Sequence, residues 1–131
     1  MARVKLSKTE LDLVRAHNVC RIATVSRDGW PHCVPVGYVY RNGFFYIPTN
    51  KKSKKARNLR VNTRASIVID DENERVLLIQ GRAEVVVGER FRKLRKMMTS
   101  RTGWTIGEQS TGAILVLSPE RKAAWKPGGI G

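Results

Sequence analysis

Between Thr49 and Asn58 the chain reads TNKKSKKARN, which places two hydroxyls, four lysines, an arginine and side-chain amides within ten residues. A phosphate monoester is held by such a set: dispersed positive charge, directional donors, and the free backbone N–H groups at a helix start. Thr49 and Ser53 would flank that start, with Lys54 and Lys55 closing on the anion. The same composition also describes a solvated basic helix face, so context has to separate the two. His32 has the intrinsic pKa for a proton role near neutrality, and Trp104 lies in a glycine-broken loop with Arg101 and Glu108. Both are candidates for a substrate pocket. The blander readings are a surface histidine on a strand and an indole that anchors its own loop. No Ser–His–Asp, Cys–His or paired-carboxylate arrangement stands out, so no side chain is assigned a catalytic role. Cys20 and Cys33 fall in or beside apolar segments without the Cys/His set of a zinc site. They read as two buried thiols, and no metal is expected.

The 131 residues are 41% hydrophobic, enough for one core, and the whole of 1–131 reads as a single domain with a loose end from about 126. No apolar run approaches the roughly 20 residues that cross a bilayer, and the start mixes charges instead of leading into a secretion segment. A soluble, cytoplasmic protein without membrane contact is the expectation. The formal net charge of +14 attracts any polyanion, cofactor or nucleic acid alike.

Ser7 followed by Glu10 resembles a capping box opening a helix through about His17, with Leu6, Leu11, Leu13 and Val14 as its apolar side. His17 would serve the helix C-terminus. RIATVS ends at the Asp28-Gly29 turn; HCVPVGYVY follows as one strand, turns at Asn42-Gly43, and returns as FFYIP. A short helix over about Ser53–Val61 comes next, then ASIVIDD, the polar turn DDENE, and RVLLIQGRAEVVV with a bend or bulge at Gly81. GERFRKLRKMM has helical spacing, Thr99 to Gly112 reads as loop, and GAILVLSP is the last strand. The sum is a mainly β fold: six antiparallel strands in a closed or partly closed barrel, with about three short helices.

The order G-x-P-H-x-V-P-V, strand, Asn-Gly turn, strand, T-N-x-x-S-x-K-A-x-N-L, strand, acidic turn and L-I-x-G-x-A-E resembles the FMN-binding split-barrel superfamily typified by pyridoxamine 5'-phosphate oxidase. It runs from about Ala23 to Glu84, with a weaker echo in SPERKAAW. The resemblance implies a six-stranded antiparallel Greek-key split barrel. It also implies a flavin phosphate held by Thr49, Ser53, Lys54, Lys55 and Asn58, and a ring running along Val34, Pro35 and Val36. Trp125 would pack near the flavin or the partner chain of a homodimer with the cofactor near its interface. The chain departs from the oxidase itself. An arginine of the second strand would fall near Cys33 or Val34, a flavin-contacting glutamine around Arg75 or Val76, and the chain ends soon after Trp125.

The leading expectation is therefore an FMN-dependent oxidoreductase exchanging hydride with a small organic substrate or nicotinamide, without vitamin B6 oxidation. The flavin does this chemistry itself, and the protein supplies position and electrostatics. A deazaflavin-dependent reductase of the same fold is the alternative, with Arg57, Arg60 and the Arg90–Lys96 run for the anionic tail. Binding without turnover, of flavin or a heme-related ring, is a second class. Nucleic-acid recognition is a third. It is disfavoured beyond weak, non-specific adhesion, because Trp30, Tyr38, Tyr40, Phe44, Phe45 and Tyr46 do not interleave with basic residues as a stacking platform.

Overall fold

The protein is described by a computed structural model at residues 4–71, 75–108 and 110–126. Ser7 caps α1 (Lys8–Ala16): its hydroxyl accepts from the Glu10 N–H at 3.2 Å, and Glu10 accepts from the Ser7 N–H at 2.8 Å. This reciprocal cap contributes about 1 kcal/mol. Leu13 and Val14 enter the core, and His17 is the C-cap.

The chain then forms β1 (Val19–Val25), β2 (Pro31–Gly37), β3 (Val39–Arg41) and β4 (Phe44–Asn50). After α2 (Lys54–Val61) come β5 (Arg64–Asp70), β6 (Val76–Val86), α3 (Gly88–Thr102) and β7 (Gly112–Trp125). All ladders are antiparallel, in the order β2-β1-β5-β6-β7-β4-β3. This is an open seven-stranded half-barrel with three helices, where a six-stranded Greek-key barrel was expected.

The extra strand arises at Tyr38, which divides the expected strand HCVPVGYVY. Its N–H donates to the Asn18 carbonyl at 3.0 Å, its phenol donates to the Val14 carbonyl at 2.6 Å, and its ring packs on Phe45. Since β2 and β3 are the two edges of the sheet, Tyr38 carries the chain from one edge to the other, pinned to the end of α1. Burial raises the Tyr38 phenol pKa above its usual value.

Inside the curl lie Ile22, Phe45, Ile47, Ile67, Ile69, Ile79 and Leu117. A second cluster under α3 joins Phe91, Met98, Val86, Ile106 and Ile114.

The expected irregularity falls at Gly81: the β6–β7 register shifts between Gln80 and Gly81, the extra residue being Glu120 on β7, and a Cβ on Gly81 would run into the Ser118 carbonyl oxygen. Two boundaries differ from the sequence reading. β7 continues past Pro119 to Trp125, because the long β6 pairs with it down to Val76, with only Glu120 passed over at the register shift. α3 runs on through Thr99–Thr102, ending where Gly103 adopts φ 74° and returns its N–H to the Thr99 carbonyl. Cysteine burial is also corrected. Cys20 is buried, and burial pushes its thiol up to about 12, but Cys33 alternates onto the open face of edge strand β2 and is exposed. Part of the acidic turn (72–74) and of the C-terminal end (127–131) lies outside the described residues. Among those described, no helix is long and apolar enough to cross a membrane.

Candidate functional site: the start of α2 and the adjoining cleft

β4 delivers Thr49 and Asn50 to a tight turn that starts α2. The Asn50 side chain accepts from the Lys52 N–H at 2.8 Å, its carbonyl accepts from the Ser53 N–H at 3.0 Å, and the Lys51 N–H donates to the Thr111 carbonyl at 2.8 Å. Ser53 is the N-cap. Its Oγ accepts from the Ala56 N–H at 3.2 Å and from the Thr49 hydroxyl at 3.1 Å. With both acceptor positions used, the Ser53 hydroxyl proton is free for a ligand.

The N–H groups of Lys54 and Lys55, at the first two helical positions, find no acceptor among the described residues. Lys55 is half-buried, has no carboxylate partner among those residues, and is held below the usual lysine pKa by desolvation. A desolvated cation without a carboxylate partner among the described residues, beside two helix-start N–H groups and the Ser53 hydroxyl, is an arrangement that can hold an anion.

Asn58 is placed differently. It is 3% exposed and its Nδ2 donates to the Thr24 hydroxyl at 3.0 Å, so it fastens α2 to β1 instead of reaching toward a ligand. The turn that follows Thr24 in the β1–β2 hairpin also feels the charge of α2. Asp28 accepts a hydrogen bond from the Ser26 hydroxyl, the main reason its pKa is lowered, and the charge of Lys54 adds to that.

Val34 and Val36 are half-buried on the face of β2 that continues the buried row Cys20, Ile22 and Thr24, while Pro35 points the other way. As an edge strand, β2 has one side of its backbone without a ladder partner. His32 shares the face of Val34, and its Nδ1 is buried without a hydrogen-bond partner.

Beside Thr49 opens a cleft of about 400 Å³ lined by Gly37, Pro48, Thr49, Asn50, Thr111 and the loop Trp104–Gly107. Trp104 lies so close over Gly37 that a Cβ there would stand 3.0 Å from the indole. Two residues singled out separately in the sequence, Thr49 and Trp104, therefore share one cavity. Gly37, its floor, was not foreseen. Only the steric demand of an indole in contact explains it, and that demand is invisible in one sequence.

Trp125 stands at the far end of β7 from the Ala113–Thr49 pairing and lines a separate hollow with Thr9, Leu13 and Val76. One chain does not bring it to the α2 site. Among the described residues no three His, Cys, Asp or Glu side chains cluster.

The curled antiparallel sheet with its Tyr38 crossover is a split half-barrel, and the chain falls in the FMN-binding split-barrel superfamily. The family profile described as pyridoxamine 5'-phosphate oxidase matches residues 6–126, and the chain belongs to that family. No curated protein matches it in sequence. Among solved structures it is similar to HutZ, the heme storage protein from Vibrio cholerae (21% identity, 94% of this chain and 96% of that one, TM-score 0.75). It is also similar to an F420 reductase (18%, 90% and 98%, TM-score 0.74) and to a FAD-binding protein from Mesorhizobium loti (24%, 92% and 95%, TM-score 0.72). At these identities the likeness carries the fold.

Proposed function

We propose that the protein binds a flavin through its phosphate and exchanges hydride between the bound ring and a small organic substrate or nicotinamide. The observation that carries this reading is the uncompensated α2 start: Lys55 desolvated without a counter-ion, next to two unpaired N–H groups and the free Ser53 proton. Lys54 and Lys55 neutralise the phosphate, Ser53 and the two N–H groups orient it, and Thr49 fixes the Ser53 rotamer. Asn58 acts as a positioning residue by holding α2 on β1. The ring lies against Val34–Val36 toward the cleft, where Trp104 and Gly37 set the space above it and keep water out. When bound, the flavin itself accepts and returns the hydride.

A dimer belongs to this reading. The half-barrel leaves the backbone edge of β2 uncovered, and a second copy related by a two-fold axis would cover the ring and bring Trp125 across to it.

Binding without turnover is the second reading. It is favoured by the cleft lining, which holds no ionisable side chain among the described residues.

Titration of the protein with FMN, riboflavin and a deazaflavin, followed by absorbance near about 450 nm, tests the phosphate grip. FMN should bind at least about tenfold tighter than riboflavin, since charge-assisted hydrogen bonds contribute about 1.5–3 kcal/mol each. Equal affinity for the two, or binding of neither, would refute it. Reduction of the bound FMN by a nicotinamide, followed by reoxidation with substrate, separates turnover from storage.

A further inference from the structure

The phosphate grip and its cleft account for the Gly37 end of β2. They leave the other end unexplained. There Trp30 is 72% exposed, among the most open large apolar side chains of the described residues. Its place follows from register. Val25 pairs with Pro31 and Thr24 with His32, and the Ser26 N–H donates to the Trp30 carbonyl at 2.9 Å, while the Trp30 N–H returns to the Ser26 hydroxyl at 3.0 Å.

Strand alternation therefore puts Trp30, His32, Val34 and Val36 in one row. They share the face of the buried Thr24 and Ser26, against which α2 is fastened through Asn58. Trp30 is thus on the same side of the sheet as the phosphate grip, seven residues from Gly37, or about 23 Å along an extended strand.

Between them lies His32, whose buried Nδ1 has no partner. Beside Trp30, Arg27 is exposed and has no carboxylate partner among the described residues. An aromatic face and a cation thus lie together at the turn end of the β1–β2 hairpin, away from the ring cleft.

We propose that this row is a second subsite: Trp30 stacks a purine ring carried beyond the phosphate, so the ligand is a flavin dinucleotide and not a mononucleotide. The assignment rests on the flavin reading above and extends it. A mononucleotide ends at the α2 start. A dinucleotide adds a second phosphate, whose charge the exposed Arg27 suits, and an adenine for the indole. Base–aromatic stacking tolerates any purine and needs only an accessible π face, which a mostly exposed indole provides.

The test compares FMN, FAD and ADP binding by calorimetry in the wild-type chain and in Trp30→Ala and Trp30→Phe, with the mass of each protein measured in solution. Wild type should bind FAD about tenfold or more tighter than FMN, and should bind ADP measurably. Trp30→Ala should bring the FAD:FMN ratio near one with FMN affinity unchanged, and Trp30→Phe should keep most of the preference. A wild-type ratio near one, or a ratio that Trp30→Ala leaves alone, overturns the subsite while FMN binding still supports the flavin reading. A loss of oligomeric mass in Trp30→Ala at constant ratio makes the indole a contact between copies and also overturns it. No binding of FMN or FAD by the wild-type chain overturns both proposals.

Discussion

Replacing Lys55 by methionine separates the anion-site reading from an ordinary basic surface in one variant. Methionine keeps the length and apolar stem of lysine and removes the charge. In the ligand-free protein the Lys55 ammonium is half-buried, lowered in pKa by desolvation, and without a carboxylate partner among the described residues. Its charge is therefore a cost to folding at neutral pH. Because the folded state holds this proton less tightly than the unfolded chain, stability attributable to Lys55 rises as pH climbs toward the ordinary lysine value. Lys55→Met should leave the melting temperature of the free protein unchanged or higher.

The same substitution removes one charge-assisted hydrogen bond to the phosphate, about 1.5–3 kcal/mol, so the FMN Kd should rise roughly 10- to 150-fold while riboflavin affinity stays the same. Differential scanning calorimetry of the free protein and parallel titrations with the two flavins provide both numbers. An FMN affinity within about threefold of wild type would refute the role of Lys55 as the phosphate's counter-ion. A clear fall in free-protein stability would show instead that the lysine is structural.

Asn58→Ala should destabilise the fold by about 1–3 kcal/mol, measured by urea unfolding, because it removes a buried donor and strands the Thr24 hydroxyl. FMN affinity should fall with it if α2 loosens; an unaffected Kd would detach Asn58 from the site. Acid stability is set in part by Glu10. Burial, the largest single influence, raises its pKa, but hydrogen bonds from Lys122 and Ser7 together outweigh that and leave it below 4.5. A carboxylate depressed in the folded state contributes stability above its unfolded pKa and loses it as pH falls through the folded value. Melting temperatures from about pH 3 to 6 should therefore fall less steeply in Glu10→Gln than in wild type.

Local chemistry was readable wherever it acts between near neighbours. The Ser7–Glu10 box, the Asn42-Gly43 turn and the Ser53 start of α2 each need only residues three or four apart, and each stands where the sequence put it. Gly81 announced its bulge because a side chain is excluded there by the strand directly alongside. The concentration of lysines and hydroxyls in Thr49–Asn58 was equally plain.

Contacts between distant segments were not readable in this way. Strand-forming residues stand on both sides of Gly37 with no turn signal between them, and the Asn18 and Val14 carbonyls, supplied by α1 and the chain beyond it, divide that run into two edges. Nothing local says that Asn58 turns inward to Thr24, that Cys33 faces out, or that Trp104 seats on Gly37 beside Thr49. The sequence by itself determined that the fold would be mainly β and antiparallel, and which residues carry charge and donors at the start of α2. The tertiary structure alone decided which of those residues stay unpaired, because whether a charge or N–H group is satisfied depends on what the rest of the chain brings to it.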